Sequence, residues 1–235
     1  MKSNITDQLQ HIQQCIQAAQ KQSLYTHDVT LLAVSKAHPA AAIKELYQAN
    51  QRDFGENYVK EFTEKATQLA DLDITWHYIG ALQSNKTQAI AQHASWIHSI
   101  DRFKIAQRLS QQRPEHLPDL NICVQINFDH EPQKAGIAPE AAAELMTRLQ
   151  TLPRLKLRGI MCIPKPEKNK ESSLEKFGKI QQAFVQLCQQ FPELDTLSMG
   201  MSHDLEEAII QGSTMVRVGR ALFGERPAKS HSSPL

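Results

Sequence analysis

From residue 30 onward, the sequence alternates short apolar runs with longer amphipathic stretches. Short apolar runs bounded by turn residues are typical of buried strands, and apolar residues at helical spacing are typical of surface helices. Strands that alternate with helices predict βαβ units around a parallel sheet. The eight predicted strands are Thr30–Lys36, Asp53–Phe54, Ile74–Ile79, Trp96–Ile100, Asn121–Asn127, Leu157–Ile163, Thr196–Met199 and Met215–Val218.

Helical stretches are predicted between these strands, and a polar, glutamine-rich helix over about residues 3 to 22 precedes them. Eight such units in 235 residues predict an α/β fold, a closed (β/α)8 TIM barrel with an extra N-terminal helix. The alternative is an open doubly wound sheet, which usually has a glycine-rich turn after its first strand. This chain has Lys36–Pro39 there, which favours the barrel. We predict one domain over 1–227 and a disordered tail over 228–235.

Charge and composition argue against several classes of partner. With 26 basic and 25 acidic residues the net charge is +1, which gives no global attraction to nucleic acid or an anionic membrane. The first residues are polar where a signal peptide would be apolar, and no apolar run approaches membrane-spanning length. Four separated cysteines, Cys15, Cys123, Cys162 and Cys188, suggest neither a metal site nor a disulfide framework. We expect a soluble cytoplasmic protein and, because no long apolar seam is left over, a monomer.

Lys36 ends the first predicted strand, and functional groups of a barrel lie at the C-terminal ends of its strands. Burial can lower the pKa of a lysine until its amine is nucleophilic and able to form a Schiff base. On this feature alone, the more common interpretation is that Lys36 is simply the first solvated residue after a strand.

The segments after the seventh and eighth predicted strands have features of an anion site, and barrels often hold phosphate there. Ser202 lies in a turn of small residues that enters a helix, where free backbone amides favour anions. The alternative is that Ser202 is an ordinary helix N-cap. Gly219 follows the last strand and would allow the backbone to approach a ligand.

Strand alternation places Met215, Arg217 and Gly219 on one face of the last strand. An arginine near the top of a packed barrel interior needs an acceptor. That acceptor is either a heteroaromatic nitrogen of a bound ligand or a carboxylate such as Glu56 or Asp204, and the sequence leaves both possibilities open.

Six motifs occur in order along the chain: Leu32–Lys36, Phe54–Tyr58, Trp76–Gly80 with Leu82–Lys86, Arg158–Met161, Leu197–Ser202 and Gly212–Gly219. Together they resemble the pyridoxal phosphate homeostasis protein family, which is similar to the barrel domain of alanine racemase. The resemblance extends from Val29 to Arg226.

The resemblance implies that pyridoxal 5'-phosphate (PLP) is held as a Schiff base on Lys36 and that Arg217 faces its pyridine nitrogen. Because a guanidinium stays protonated, it would disfavour protonation of that nitrogen and weaken the ring as an electron sink. The other cofactor-binding residues that it implies are Ser202, Gly219 and Arg220 at the phosphate, and Asn57, His77, Met161 and Ser198 along the ring.

Several of these residues also have structural interpretations. His77 could be a core histidine, Asn57 a helix N-cap and Met161 barrel filling. The chain departs from the family pattern at Arg220, where a small hydroxyl residue is common. The backbone amide of Arg220 is therefore the more secure phosphate ligand.

The resemblance implies a non-catalytic protein that buffers PLP and delivers it to PLP-dependent apo-enzymes. The alternative is a small PLP-dependent amino acid racemase of weak activity. A two-base racemase needs a second acid/base group, which alanine racemase takes from an added β-domain that we expect this chain to lack. Tyr58 or His77 could substitute only weakly. A third possibility, a phosphate-binding barrel enzyme without cofactor, requires that Lys36 does not react with the aldehyde.

Overall fold

The computed structural model describes residues 4–225 and contains a closed barrel of eight parallel strands. The strands follow one another in sequence order around the barrel, and the last pairs with the first. They are β1 (Thr30–Val34), β2 (Asp53–Glu56), β3 (Thr75–Tyr78), β4 (Trp96–Ile100), β5 (Leu120–Ile126), β6 (Leu155–Cys162), β7 (Thr196–Met201) and β8 (Met215–Val218). The predicted barrel is confirmed, whereas the predicted tail lies outside the described residues.

A helix follows every strand. The helices are α1 (Ile5–Gln20), α2 (Ala40–Gln48), α3 (Val59–Gln68), α4 (Thr87–His93), α5 (Phe103–Gln112), α6 (Ala142–Leu149), α7 (Lys170–Gln190), α8 (Leu205–Ile210) and α9 (Arg220–Phe223). Short 3-10 helices, Ser84–Lys86 and Pro139–Ala141, precede α4 and α6.

The extra N-terminal helix α1 is present, as the sequence predicts. The Asn4 side chain caps it by accepting a hydrogen bond from the Thr6 N–H at 3.2 Å, which satisfies one free donor of the first turn. Its buried residues recur at helical spacing and form one apolar face: Leu9, Ile12, Ile16 and Ala19. This face packs against α2, α8 and α9, so α1 covers the outside of the barrel where β8 meets β1.

Strand β1 ends at Val34, two residues before the predicted end at Lys36. The Ser35 hydroxyl turns to the Glu56 carboxylate at 2.6 Å, and Ala37 adopts a left-handed backbone with φ of 64°. Because a left-handed residue cannot continue an extended strand, the chain leaves the sheet here and Lys36 lies in a loop.

Strands β2 and β7 each extend two residues beyond their predicted ends, to Glu56 and Met201. Both segments contain a glycine, and their composition is not strongly strand-forming. Pairing with a neighbouring strand on each side compensates, which a single-segment pattern does not reveal.

The barrel interior is unusually polar. Side chains alternate between the interior and the helix layer, and parallel barrels usually fill the interior with branched aliphatic residues. Here His77, His98 and Ser198 are each 0% exposed and Arg217 is 4% exposed. Buried polar groups require hydrogen-bond partners, so these four side chains depend on one another.

None of the helices within residues 4–225 is long and apolar enough to cross a membrane. All four cysteines lie in this range and are free thiols. The described residues contain no group of three or more histidines, cysteines and carboxylates that could hold a metal ion.

Strands β6 and β7 approach each other at Gly159, where a Cβ atom would lie 1.7 Å from the Thr196 carbonyl oxygen. We expect Gly159→Ala to lower the free energy of unfolding by about 3 kcal/mol, because the backbone cannot move aside within a closed sheet. Urea unfolding measures this change.

The matched control is Gly178→Ala in α7, where the nearest atom is the flexible Gln211 side-chain oxygen at 3.2 Å. This variant should be as stable as the wild type or up to about 1 kcal/mol more stable, since alanine favours helix. Equal stability of the two variants would contradict the close approach at Gly159.

Candidate functional site

A cavity of about 600 Å³ opens at the C-terminal ends of the strands. This is the end at which barrels place their functional groups, and the volume suits a small-molecule ligand. Seven of the nine predicted binding residues line the cavity: Lys36, Asn57, Met161, Ser202, Arg217, Gly219 and Arg220.

The loop that carries Lys36 is held on both sides by α3. On one side, Lys65 Nζ donates to the Ser35 carbonyl oxygen at 2.8 Å. On the other side, the Ala37 N–H donates to Glu61 Oε1 at 2.6 Å. The same carboxylate oxygen accepts from Lys65 Nζ at 2.6 Å. The position of Lys36 beside the cavity is therefore fixed by contacts of its two neighbours.

A buried ion pair lies beneath this loop. Glu56 Oε1 accepts from Lys65 Nζ at 2.7 Å and from the Ser35 hydroxyl at 2.6 Å, and both Glu56 and Lys65 are buried. Burial raises the pKa of Glu56, and the lysine and the hydroxyl oppose that rise. The other oxygen, Oε2, is buried without a partner among the described residues.

Arg217 projects from β8 into the floor of the cavity and is almost fully buried. Its Nη1 donates to Ser198 Oγ and its Nη2 to the Cys162 carbonyl oxygen, each at 2.9 Å. Within residues 4–225 no carboxylate forms an ion pair with it, so the alternative of a structural pair with Glu56 or Asp204 is wrong. Burial lowers the pKa of Arg217.

A guanidinium carries five N–H donors, and within residues 4–225 two groups accept from Arg217. Because the side chain lines the cavity, its remaining donors can serve a ligand. A buried cation with spare donors indicates that the ligand brings an acceptor or a negative charge.

The loop after β7 and the first turn of α9 meet at one wall of the cavity. The Ala221 N–H donates to Ser202 Oγ at 3.5 Å. Ser202 is not the N-cap of α8, because Asp204 occupies that position. At Gly219 a Cβ atom would lie 3.2 Å from the Val34 carbonyl oxygen, so glycine allows this wall to close on β1.

Asn57 lines the cavity, and its side-chain oxygen is buried without a partner among the described residues. It is not a helix N-cap, because Tyr58 holds that position before α3. Met161 is buried and also lines the cavity. It therefore fills the barrel interior and faces the ligand space at the same time.

His77 and Ser198 are not among the residues that line the cavity. Ser198 lies beneath Arg217 and accepts its hydrogen bond. His77 lies lower, where its Nε2 meets Asp53 Oδ1 at 2.9 Å at the N-terminal end of β2. The expectation that His77 contacts a ligand ring therefore departs from the structure, because β3 directs this side chain into the barrel below the cavity.

The cavity lining also includes residues that were not predicted from the sequence, among them His38, Ile79, Met201, His203 and Glu225. Most follow the end of a strand closely, and that position was the signal that could have found them. His38 also stacks on Phe223 with ring centroids 4.9 Å apart, which joins the loop after β1 to α9.

Comparisons with known proteins identify the family to which the chain belongs. The family model described as alanine racemase, N-terminal domain, matches residues 8–227. A curated protein of Pseudomonas aeruginosa named pyridoxal phosphate homeostasis protein is 50% identical over 210 residues, which cover 89% of this chain and 90% of the relative. A protein of the same name from Vibrio cholerae is 46% identical over 228 residues, covering 95% and 97% of the two chains. This chain belongs to the pyridoxal phosphate homeostasis protein family.

Solved structures support the same placement in the family. PipY of Synechococcus elongatus, determined without PLP, has a TM-score of 0.83 at 38% identity and covers 94% of this chain and 100% of its own. The PLP-bound structure of PipY has a TM-score of 0.82 at 37% identity with the same coverage. An alanine racemase of Clostridium difficile has a TM-score of 0.69 at 16% identity, covers 95% of this chain and 58% of its own, and shows the shared fold alone.

Replacing Lys65 tests the buried ion pair beneath the Lys36 loop. Lys65→Met would leave the Glu56 carboxylate buried without its cation, so we expect the free energy of unfolding to fall by about 3 kcal/mol or more. Urea unfolding measures the loss.

Lys60→Met is the matched control, because the Lys60–Glu64 pair spans 3.8 Å and its side chains are 89% and 63% exposed. This change should cost less than about 1 kcal/mol. A Lys65 variant as stable as the Lys60 variant would contradict the structural role of the buried pair.

The two buried histidines should make stability depend on pH. Burial lowers the pKa of His77 and of His98 below the ordinary value of 6.5. Asp53 opposes this shift at His77, whereas repulsion by His77 and Arg217 adds to it at His98. Below about pH 6.5 the unfolded chain binds protons that the folded protein does not. The free energy of unfolding should therefore decrease as the pH is lowered. Each histidine contributes up to about 1.4 kcal/mol per pH unit.

Urea unfolding at about pH 7.5 and pH 5.5 measures this slope. We expect His98→Gln to have a shallower slope than the wild type, and His116→Gln, a change at an exposed position, to keep the wild-type slope. Identical slopes in all three proteins would refute the role of the buried imidazoles.

Proposed function

We propose that this protein binds PLP in the cavity at the C-terminal end of the barrel and serves intracellular PLP homeostasis. The observation that carries the proposal is the meeting of Lys36, Arg217 and the Ser202 loop around one cavity of about 600 Å³. PLP supplies an aldehyde, a ring nitrogen and a phosphate, and the cavity has a group suited to each. The PLP-bound structure of the related PipY supports the proposal.

The phosphate would lie against Ser202 and the first turn of α9. N–H groups at the start of a helix have no acceptor within the helix, and together with a hydroxyl they suit phosphate oxygens. Gly219 and Arg220 belong to the same wall. The Arg220 side chain is exposed, which favours its backbone N–H as the phosphate ligand.

The pyridine ring of PLP would lie above Arg217, between Asn57 and Met161. The spare N–H donors of Arg217 would meet the ring nitrogen and keep it unprotonated, because a guanidinium does not give up its proton. The unpartnered Asn57 oxygen can accept a hydrogen bond from a ring substituent.

Lys36 would hold PLP as a Schiff base. A carbon–nitrogen double bond forms between Lys36 Nζ and the aldehyde carbon, and the aldehyde oxygen leaves as water. The contacts of Ser35 and Ala37 with α3 fix the loop, so the Lys36 backbone is held beside the cavity before PLP arrives.

We propose binding rather than turnover. A racemase would need a second acid/base group facing the lysine amine. Tyr58 is 58% exposed and lies outside the cavity lining. His77 lies below the cavity, where it is hydrogen-bonded to Asp53 and His98. Neither Tyr58 nor His77 is therefore placed for that role.

The proposed protein is a cytoplasmic monomer that keeps the reactive aldehyde masked and delivers PLP to PLP-dependent apo-enzymes. A Schiff base reverses readily by hydrolysis or by exchange with another amine, which suits a store that must release its cargo. The names of the curated relatives support homeostasis as the role.

Lys36→Ala tests the attachment site. Purified wild type loaded with PLP should absorb visible light as an imine, and borohydride reduction followed by peptide mapping should place the adduct on Lys36. Lys36→Ala should lose the imine band and keep the fold, because the side chain is only half-buried and leaves no large core cavity. Circular dichroism verifies the fold.

Lys44→Ala is the matched control, since Lys44 is exposed on α2 and should leave the band unchanged. An imine band that persists in Lys36→Ala would assign attachment to another lysine. A wild-type protein that stays colourless and unmodified after incubation with PLP would overturn the proposed function.

A further inference from the structure

Four hydrogen bonds link five side chains through the barrel interior. Arg217 Nη1 meets Ser198 Oγ at 2.9 Å, and Ser198 Oγ meets His98 Nδ1 at 3.2 Å. His98 Nε2 meets His77 Nδ1 at 2.9 Å, and His77 Nε2 meets Asp53 Oδ1 at 2.9 Å. We name this the axial chain. It runs from the cavity floor to the N-terminal end of β2, and its three central members are fully buried.

Chemistry fixes the direction of every proton in the axial chain. The Asp53 carboxylate only accepts, so His77 Nε2 carries a proton and, in a neutral ring, His77 Nδ1 has none. His98 Nε2 must therefore carry the proton between the two rings, which leaves His98 Nδ1 as an acceptor. Ser198 then donates its hydroxyl proton to His98 and accepts from Arg217.

This assignment satisfies each link with one donor and one acceptor. Burial lowers the pKa of both histidines, which agrees with two neutral rings. The axial chain begins at a buried cation and ends at a carboxylate whose side chain is 29% exposed. Every dipole along it has its negative end toward Arg217, so the chain stabilises the guanidinium at the cavity floor, where no carboxylate of residues 4–225 is hydrogen-bonded to it.

We propose that Ser198, His98, His77 and Asp53 are positioning residues that hold Arg217 in the orientation that receives the ligand. The proposal rests on the proposed function, because the ligand is PLP. Asp53 lies outside the cavity lining, and the axial chain is the hydrogen-bonded path that joins it to Arg217.

The axial chain predicts that a change at Asp53 alters the site at the other end of the barrel. Asp53→Lys places a donor where the chain needs an acceptor, so both histidines should change to the Nδ1–H form. Ser198 would then receive protons from both sides and could no longer donate to His98. We expect PLP to bind about fivefold to tenfold more weakly and its absorption band to shift.

Asp53→Asn is the matched control, because its amide oxygen can still accept from His77. It should keep both Nε2–H forms and bind PLP within about twofold of the wild type. If Asp53→Asn binds PLP normally and Asp53→Lys does not, the site needs a hydrogen-bond acceptor at residue 53. It does not need the aspartate itself. His98→Leu removes the central member of the axial chain and replaces it with an apolar side chain of similar size, so it should weaken PLP binding as Asp53→Lys does.

Nitrogen-15 NMR of the imidazoles near neutral pH reads the tautomers directly and needs no PLP. Neutral Nε2–H forms of His77 and His98 in the wild type support the axial chain, and an Nδ1–H or protonated ring at either position overturns it. Titration with PLP, followed by absorption, gives the affinity and the band. The positioning role would be overturned if Asp53→Lys and His98→Leu fold, bind PLP with wild-type affinity and show the wild-type absorption band.

The two readouts separate this inference from the proposed function. A wild-type protein that binds no PLP refutes the proposed function and the positioning role with it, while the tautomers still decide the direction of the chain. If Asp53→Lys fails to fold, the wild-type tautomers and the PLP affinity of Asp53→Asn and His98→Leu decide the proposal.

Discussion

The burial of the Arg217 guanidinium inside the barrel is the constraint on which the site depends. An unpaired cation in a low-dielectric interior is costly, and no carboxylate pairs with this one within residues 4–225. The protein meets the cost with a carbonyl, a hydroxyl and the polarised histidines behind them. This explains why the interior contains polar side chains where most parallel barrels have aliphatic ones.

The fold followed from the sequence because its signals are local and repeated. Eight apolar runs alternate with amphipathic stretches, and the missing glycine-rich turn after the first run favoured a barrel over an open sheet. Strand ends were less accurate. In β1, the bond from Ser35 to Glu56 and the left-handed Ala37 ended the strand before Lys36, and these are contacts that a single segment cannot reveal.

The sequence predicted which residues lie together at the cavity where they follow strand ends, and failed where their position depends on depth in the barrel. Lys36, Arg217 and Gly219 line one cavity, as expected from their positions after or near the ends of strands. Sequence spacing gives the face of a strand on which His77 lies but not its depth, so its contact with Asp53 was missed. The Lys65–Glu56 pair was also missed, because a lysine on a polar helix normally reads as solvated.

Closure of the barrel has a consequence for how the protein matures. Strand β1 pairs with β8. The loop that carries Lys36 and the first turn of α9 are therefore neighbours, although they come from opposite ends of the sequence. During synthesis on the ribosome, the first half of the site is made long before the second, and contacts between distant segments form slowly. The cavity is complete only after the last strand has joined the first. A chain that lacked β8 and α9 would keep Lys36 but would have neither Arg217 nor Arg220, so it would contain only part of the candidate site.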